Sequence, residues 1–366
     1  MTRIVIKVGT STLTGGTPRL HRQRILELVG QLAQLYQAGH EVILVSSGAQ
    51  AAGRERLNFP DYGSSVPAKQ MLSAVGQGRL MNLYSQLFDL YDITVAQVLL
   101  TRDDLSERGR YLNARDTLGM LLQERIIPII NENDTVATNE IRVGDNDNLS
   151  AMVASVLEAD CLVILTDQKG LFTADPRKDP SAQLIGEVTR IDENTFAIAG
   201  GAGSKMGTGG MTTKIEAAQL ATRSGVTTII ASGNEPSVLL RLFIQKEAIG
   251  TRFLPTSTHL EGRKRWMLTD RPQGTIIVDG GAGQALVKRG ASLLPVGMIK
   301  TVGDFLRGEV LRICDPEGKE LARGLANYDS PDMQKLCRVK SSQIPELLGY
   351  TYGDYVVHRN DMVILQ

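Results

Sequence analysis

The sequence predicts a protein of the α/β class: a mostly parallel sheet sandwiched by helices, followed by a small β-rich domain. Three observations predict it. Over roughly the first 255 residues, short runs rich in Val and Ile lack polar alternation and take turns with stretches of helical period, the pattern of strands buried on both faces. Beyond a turn-rich break near residue 255, the helical stretches give way to short strand candidates separated by turns. The chain has 366 residues, 42 % apolar and 22 % charged, enough for two domains with buried cores.

The strand candidates of the first part are Ile4–Val8, Val42–Val45, Ile93–Leu99, Ile126–Ile130, Leu162–Leu165 and Val226–Ala231. Between them, Ile25, Leu28, Val29, Leu32 and Leu35 follow the spacing of an amphipathic helix. Met71 to Leu90 and Leu112 to Leu122 do the same, and Met211 to Ala221 is rich in helix formers. The later part offers strands at Thr275–Asp279, Val310–Ile313, Tyr355–His358 and Met362–Leu365, with one helix at Gln284–Arg289. The expected domains are residues 1–258 and 274–366, joined by a linker at 259–273.

Composition excludes several classes. Forty Lys+Arg balance forty Asp+Glu, so bulk attraction to a polyanion is not expected. Cys161, Cys314 and Cys337 are scattered, and the four histidines share no ligand spacing with them, so neither a disulfide scaffold nor a structural zinc organises the fold. No apolar run approaches the roughly 18–20 residues of a membrane span. The opening apolar stretch is too short for a signal peptide and reads as a strand. A cytoplasmic protein is expected.

Five clusters could carry chemistry, each at the junction of a strand and a helix, where parallel sheets bind ligands. Lys7-Val8-Gly9-Thr10-Ser11 places a Lys inside an apolar strand, either as a buried functional cation or as an edge-strand Lys reaching solvent. Ser46-Ser47-Gly48-Ala49 suits an anionic ligand or the start of a helix. Asn131-Glu132-Asn133-Asp134 and Gly144-Asp145-Asn146-Asp147-Asn148 offer carboxylates and amides for an amino group, a carboxylate or Mg²⁺. Thr166-Asp167 ends a strand. Gly207-Thr208-Gly209-Gly210-Met211-Thr212-Thr213-Lys214 opens a helix with a glycine-rich loop fit for phosphates, but with the wrong spacing for a Walker A motif.

Taken in order, these motifs resemble the amino acid kinase family, and within it the branch that phosphorylates free glutamate at the start of proline synthesis. The stretch from about Gly274 to Tyr350 resembles a PUA domain. The resemblance implies transfer of the ATP γ-phosphoryl group to the side-chain carboxylate of L-glutamate, with Mg²⁺ on the phosphates. By match to the family, Lys7 and Lys214 supply positive charge and Asp147 holds them in place. Ser47, Asp134 and Asn146 match the glutamate-binding positions. Lys7, Thr166, Asp167 and the loop Thr208, Gly209, Gly210, Met211, Thr212, Thr213 and Lys214 match the nucleotide-binding ones, and no protein metal ligand is implied. The resemblance further implies a homo-oligomer, feedback inhibition by proline, and functional coupling to a downstream reductase. A sister kinase of the N-acetylglutamate type is the first alternative. An RNA-binding protein is the second, and residues 272–366 argue against it, because 11 Lys+Arg against 11 Asp+Glu leave no basic footprint.

Overall fold

The computed structural model describes residues 1–63, 65–137, 146–200, 210–258, 261, 267–268 and 270–365. They form two compact units, one comprising Met1–Leu105 with Ala114–His259, the other Ser106–Asn113 with Leu260–Gln366. None of the described helices is long and apolar enough to cross a membrane.

In the first part of the chain the order is β1 (Arg3–Val8), α1 (Thr10–Thr14), α2 (Arg22–Gln37), β2 (Glu41–Ser46), α3 (Ala49–Arg56), α4 (Val66–Asp89), β3 (Val95–Leu100), α5 (Arg102–Ser106), α6 (Arg108–Gln123) and β4 (Ile127–Glu132). There follow α7 (Asn146–Val156), β5 (Cys161–Thr166), β6 (Glu187–Val188), α8 (Glu193–Gly200), α9 (Met211–Arg223), β7 (Thr227–Ser232), α10 (Val238–Phe243) and β8 (Thr251–Phe253). The eight strands make one sheet in the order β3-β4-β2-β1-β5-β7-β8-β6. Every pairing is parallel except β7 with β8. All six longer strands fall where the apolar runs predict them. The strands β6 and β8 are two and three residues long, too short to show a period.

β1 sits mid-sheet, with Lys7 in register between Val45 of β2 and Ile164 of β5. Its flanking residues are wholly buried because both faces of the sheet are covered. On one face Ile25, Val29, Leu32 and Leu35 of α2 meet Tyr84 and Phe88 of α4 over Ile4, Ile6 and Leu44. Each such side chain contributes about 1.5–3 kcal/mol on burial. The helices α3 and α4 touch backbone to backbone. A Cβ on Gly53 would lie 1.9 Å from Leu72 O, and one on Gly76 would lie 1.8 Å from Ala49 O.

The second unit holds β9 (Gly274–Val278), α11 (Gly280–Arg289), β10 (Met298–Val302), β11 (Val310–Cys314), β12 (Glu320–Leu325), α12 (Ser330–Lys335), α13 (Ile344–Leu348) and β13 (Met362–Ile364). Its five strands run in the order β10-β9-β11-β12-β13 around a core that includes Ile276, Leu286, Phe305, Leu311 and Tyr328. Leu112, from the segment Ser106–Asn113, packs there against Val310 and Leu325. Two strands, β10 and β12, went unseen in the sequence. Lys300 and Thr301 interrupt the first, and Gly324 weakens the pattern of the second. Gly324 is needed, since a Cβ there would meet Val357 Cγ1 at 2.4 Å. Conversely, the expected strand Tyr355–His358 is only a single bridge from Val357 to Leu293. Gly353, at φ 115, and the 3₁₀ turn Arg359–Asp361 leave no room for a longer one.

Candidate active site

The carboxyl ends of β1, β2, β4 and β5 deliver the predicted residues to one rim of the sheet. Lys7 is 5 % exposed on a strand paired on both sides, which excludes the edge-strand reading. Its ammonium lies 2.6 Å from Asp147 Oδ1. The other oxygen, Oδ2, lies 3.2 Å from Lys214 Nζ and accepts from Thr213 Oγ1 at 2.9 Å. One carboxylate thus braces two lysines, brought from a strand and from the first turn of α9. The two opposite charges are what make the burial tolerable.

The titration of Asp147 and Lys214 follows from that geometry. Burial resists the charge on Asp147, but Lys7 and Lys214 outweigh it and bring its pKa from 3.8 down to about 2. Burial pushes Lys214 below the ordinary lysine range, against the pull of Asp147 and, more weakly, of Asp167, with Lys7 adding to the downward push. Asp167 is exposed just past β5 and accepts from Thr166 Oγ1 at 3.0 Å. Gly210 caps α9 in extended conformation with no side-chain bond to the helix start, followed by Met211, Thr212 and Thr213 in its first turn. Backbone N–H groups there are available to phosphate oxygens.

A second, uncharged group lies beside the lysines. Asn146 immediately precedes Asp147 at the start of α7, and its Nδ2 donates to Ser47 Oγ and to Asn131 Oδ1, both at 2.9 Å. Ser47 follows β2, where Gly48 turns the chain at φ 106. A side chain on Gly48 would press on Leu13 Cδ1 at 3.0 Å. That glycine, and not a serine, caps α3, so Ser46 and Ser47 are not spent on capping. Asp134 lies on the loop after β4. Partial burial raises its pKa, and a hydrogen bond with Ser73 of α4 opposes the rise.

Lys7, Ser47, Asn146, Asp147, Thr213 and Lys214 are therefore brought together directly. Asp167 bonds Thr166 and acts electrostatically on Lys214, while Asp134 is tied to Ser73 of α4. Thr208, Gly209, Gly144 and Asp145 lie outside the described residues. Sequence reasoning assigned no role to Asn131, although it is in a quoted motif, and missed Ser73 and Gln77. Asn131 Nδ2 donates to Gln77 Oε1 at 2.8 Å. The available signal was a pair of polar residues one helical turn apart on a helix whose buried face carries Leu72, Leu80 and Tyr84. Among the described residues no group of three His, Cys, Asp or Glu side chains could hold a metal ion.

Comparison with known proteins places this rim in a family. Residues 2–232 match the model of the amino acid kinase family, and residues 274–348 match the PUA domain. The chain belongs to the amino acid kinase family. It is a phosphotransferase whose kinase unit is followed by a PUA domain. A glutamate 5-kinase of Herpetosiphon aurantiacus is 55 % identical over 99 % of this chain and 98 % of its own. A glutamate 5-kinase of Deinococcus radiodurans is 53 % identical over 99 % of this chain and all of its own. One from Shigella flexneri is 52 % identical over 98 % of both.

Proposed function

We propose that this amino acid kinase transfers the γ-phosphoryl group of ATP to the side-chain carboxylate of L-glutamate, giving L-glutamyl 5-phosphate, the first step of proline synthesis. The observation that carries the reading is the buried Lys7–Asp147–Lys214 trio beside the Ser47–Asn146 pair, in a chain more than half identical to glutamate 5-kinases over nearly its full length.

The acceptor carboxylate is already ionised at neutral pH, so no general base is required. The obstacle is charge, because an anion must approach a polyanionic triphosphate in line. Lys7 and Lys214 meet it by holding positive charge where the transferring phosphoryl group passes. Asp147 keeps both lysine side chains in place until nucleotide arrives. Mg²⁺, carried by the phosphates, would neutralise further charge. Thr166, Asp167 and the segment 208–214 bind the nucleotide, and Ser47, Asp134 and Asn146 bind glutamate. The domain limits proposed are 1–258 and 274–366 with a linker at 259–273. Proline as feedback inhibitor, homo-oligomeric assembly and coupling to a downstream reductase belong to the same reading.

The test is ATP consumption over a panel of glutamate, N-acetylglutamate, aspartate and uridylate. Strong preference for glutamate is expected, because an acetylated amine leaves Asp134 facing a neutral amide. Equal or better turnover of N-acetylglutamate would move the chain to a sister kinase.

A further inference from the structure

The amide groups of Gln77, Asn131 and Asn146 form a chain whose direction is fixed by one backbone donor. The N–H of Glu132 donates to Asn131 Oδ1 at 2.9 Å, and a backbone N–H has no other role open to it. The atom of Asn131 facing it must therefore be the carbonyl oxygen, which makes Nδ2 the donor toward Gln77 Oε1. The same oxygen receives Asn146, so the group Asn146 turns toward it must be Nδ2. Both hydrogens of that amide are then used, one on Asn131 and one on Ser47 Oγ.

Two buried polar atoms remain at the ends of the chain with no partner among the described residues: Asn146 Oδ1, an acceptor, and Gln77 Nε2, a donor. Leaving such atoms unpaired is costly unless a ligand completes them. An amino acid zwitterion has the complementary pair, an ammonium that donates and a carboxylate that accepts.

We propose that Gln77 is a positioning and specificity residue for the amino acid substrate. Asn131, fixed by the Glu132 N–H, keeps the Asn146 oxygen toward the α-ammonium, while Gln77, anchored on Asn131, donates its own Nε2 to the α-carboxylate. Asn146 is thereby an acceptor for the ammonium and not a donor to a carboxylate. This deepens the proposed glutamate site and rests on that reading.

The experiment compares the purified wild-type enzyme with Gln77→Leu and Gln77→Glu, measuring kcat and KM for glutamate, for 4-aminobutyrate (which lacks the α-carboxylate) and for ATP, with a thermal melt of each. Gln77→Leu removes the Nε2 donor while the Glu132 N–H still fixes Asn131 and Asn146, so the preference for glutamate over 4-aminobutyrate should fall by about tenfold. The ATP KM should stay within about twofold, since no nucleotide-binding residue is touched. Gln77→Glu keeps an oxygen for Asn131 but sets a carboxylate against the α-carboxylate, so the preference should fall further than in Gln77→Leu. Gln77→Met serves in place of the leucine variant should the latter not fold. A preference left unchanged in either variant would overturn the proposal. Failure of the wild-type enzyme to phosphorylate glutamate would instead overturn the function it rests on.

Discussion

Asp147→Asn removes one negative charge from between two buried lysines while preserving shape. The fall of the carboxyl from 3.8 to about 2 corresponds to about 2 kcal/mol of favourable interaction in the folded state. Breaking a buried ion pair by deleting one partner typically costs more, about 3–5 kcal/mol, because the remaining charge stays buried. A cost of about 3 kcal/mol should lower the melting temperature of a unit this size by about 6–12 °C at pH 7. The charge origin has its own signature. Lys214 already holds its proton less tightly than an ordinary lysine, and losing Asp147 weakens that hold further. A lysine with a lowered folded-state pKa gains stability as pH rises between its folded and unfolded values. The variant should therefore recover part of its deficit between pH 7 and 9.5, and recover more than the wild type gains. On the acid side, the wild-type contribution of Asp147 is present above the unfolded carboxyl pKa and is lost as pH falls toward about 2. Scanning calorimetry at three pH values reads all of this. A melting temperature within 2 °C of wild type, or a deficit independent of pH, would refute the reasoning.

Three further outcomes are expected. Lys7→Ala and Lys214→Ala should each reduce kcat by about 10²–10³ in steady-state assays, and arginine at either position should restore only part of it. Because burial raises the Asp134 pKa, its carboxylate is lost at a higher pH than that of an exposed aspartate. The glutamate KM should therefore climb on acidification while the ATP KM does not, and Ser73→Ala should shift that climb to still higher pH in initial-rate profiles. Gly76→Ala forces a Cβ against Ala49 O and so parts α3 from α4. Chemical denaturation should show a loss of about 1–3 kcal/mol or more, with a raised glutamate KM because Ser73 and Gln77 ride on the displaced helix.

The sequence by itself determined the class of fold and most of the charged site. Parallel strands buried on both faces must be continuously apolar, so β1 to β5 and β7 stand out as Val- and Ile-rich runs. A lysine in the first of them, Lys7, is conspicuous for the same reason. Residues such as Ser47 after β2, Thr166 at the end of β5 and Asn146 at the start of α7 were legible because the parallel strands send their carboxyl ends to the same rim. What spacing alone could not supply was partnership, which for Lys7, Asp147 and Lys214 came from the family resemblance. Nothing in the spacing of residues 7, 147 and 214 says that one carboxylate serves both lysines, since the three come from different elements joined only by the sheet order. Gln77 and Ser73 looked like polar residues on a long helix until the glycine contacts of α3 and α4 set that helix against β4. The direction of the Gln77–Asn131–Asn146 chain depends on a single backbone N–H at Glu132. Periodicity reports which face of an element is buried. Only the tertiary structure decides which polar atoms meet there, because hydrogen bonding depends on distances of a few tenths of an ångström between segments far apart in the chain.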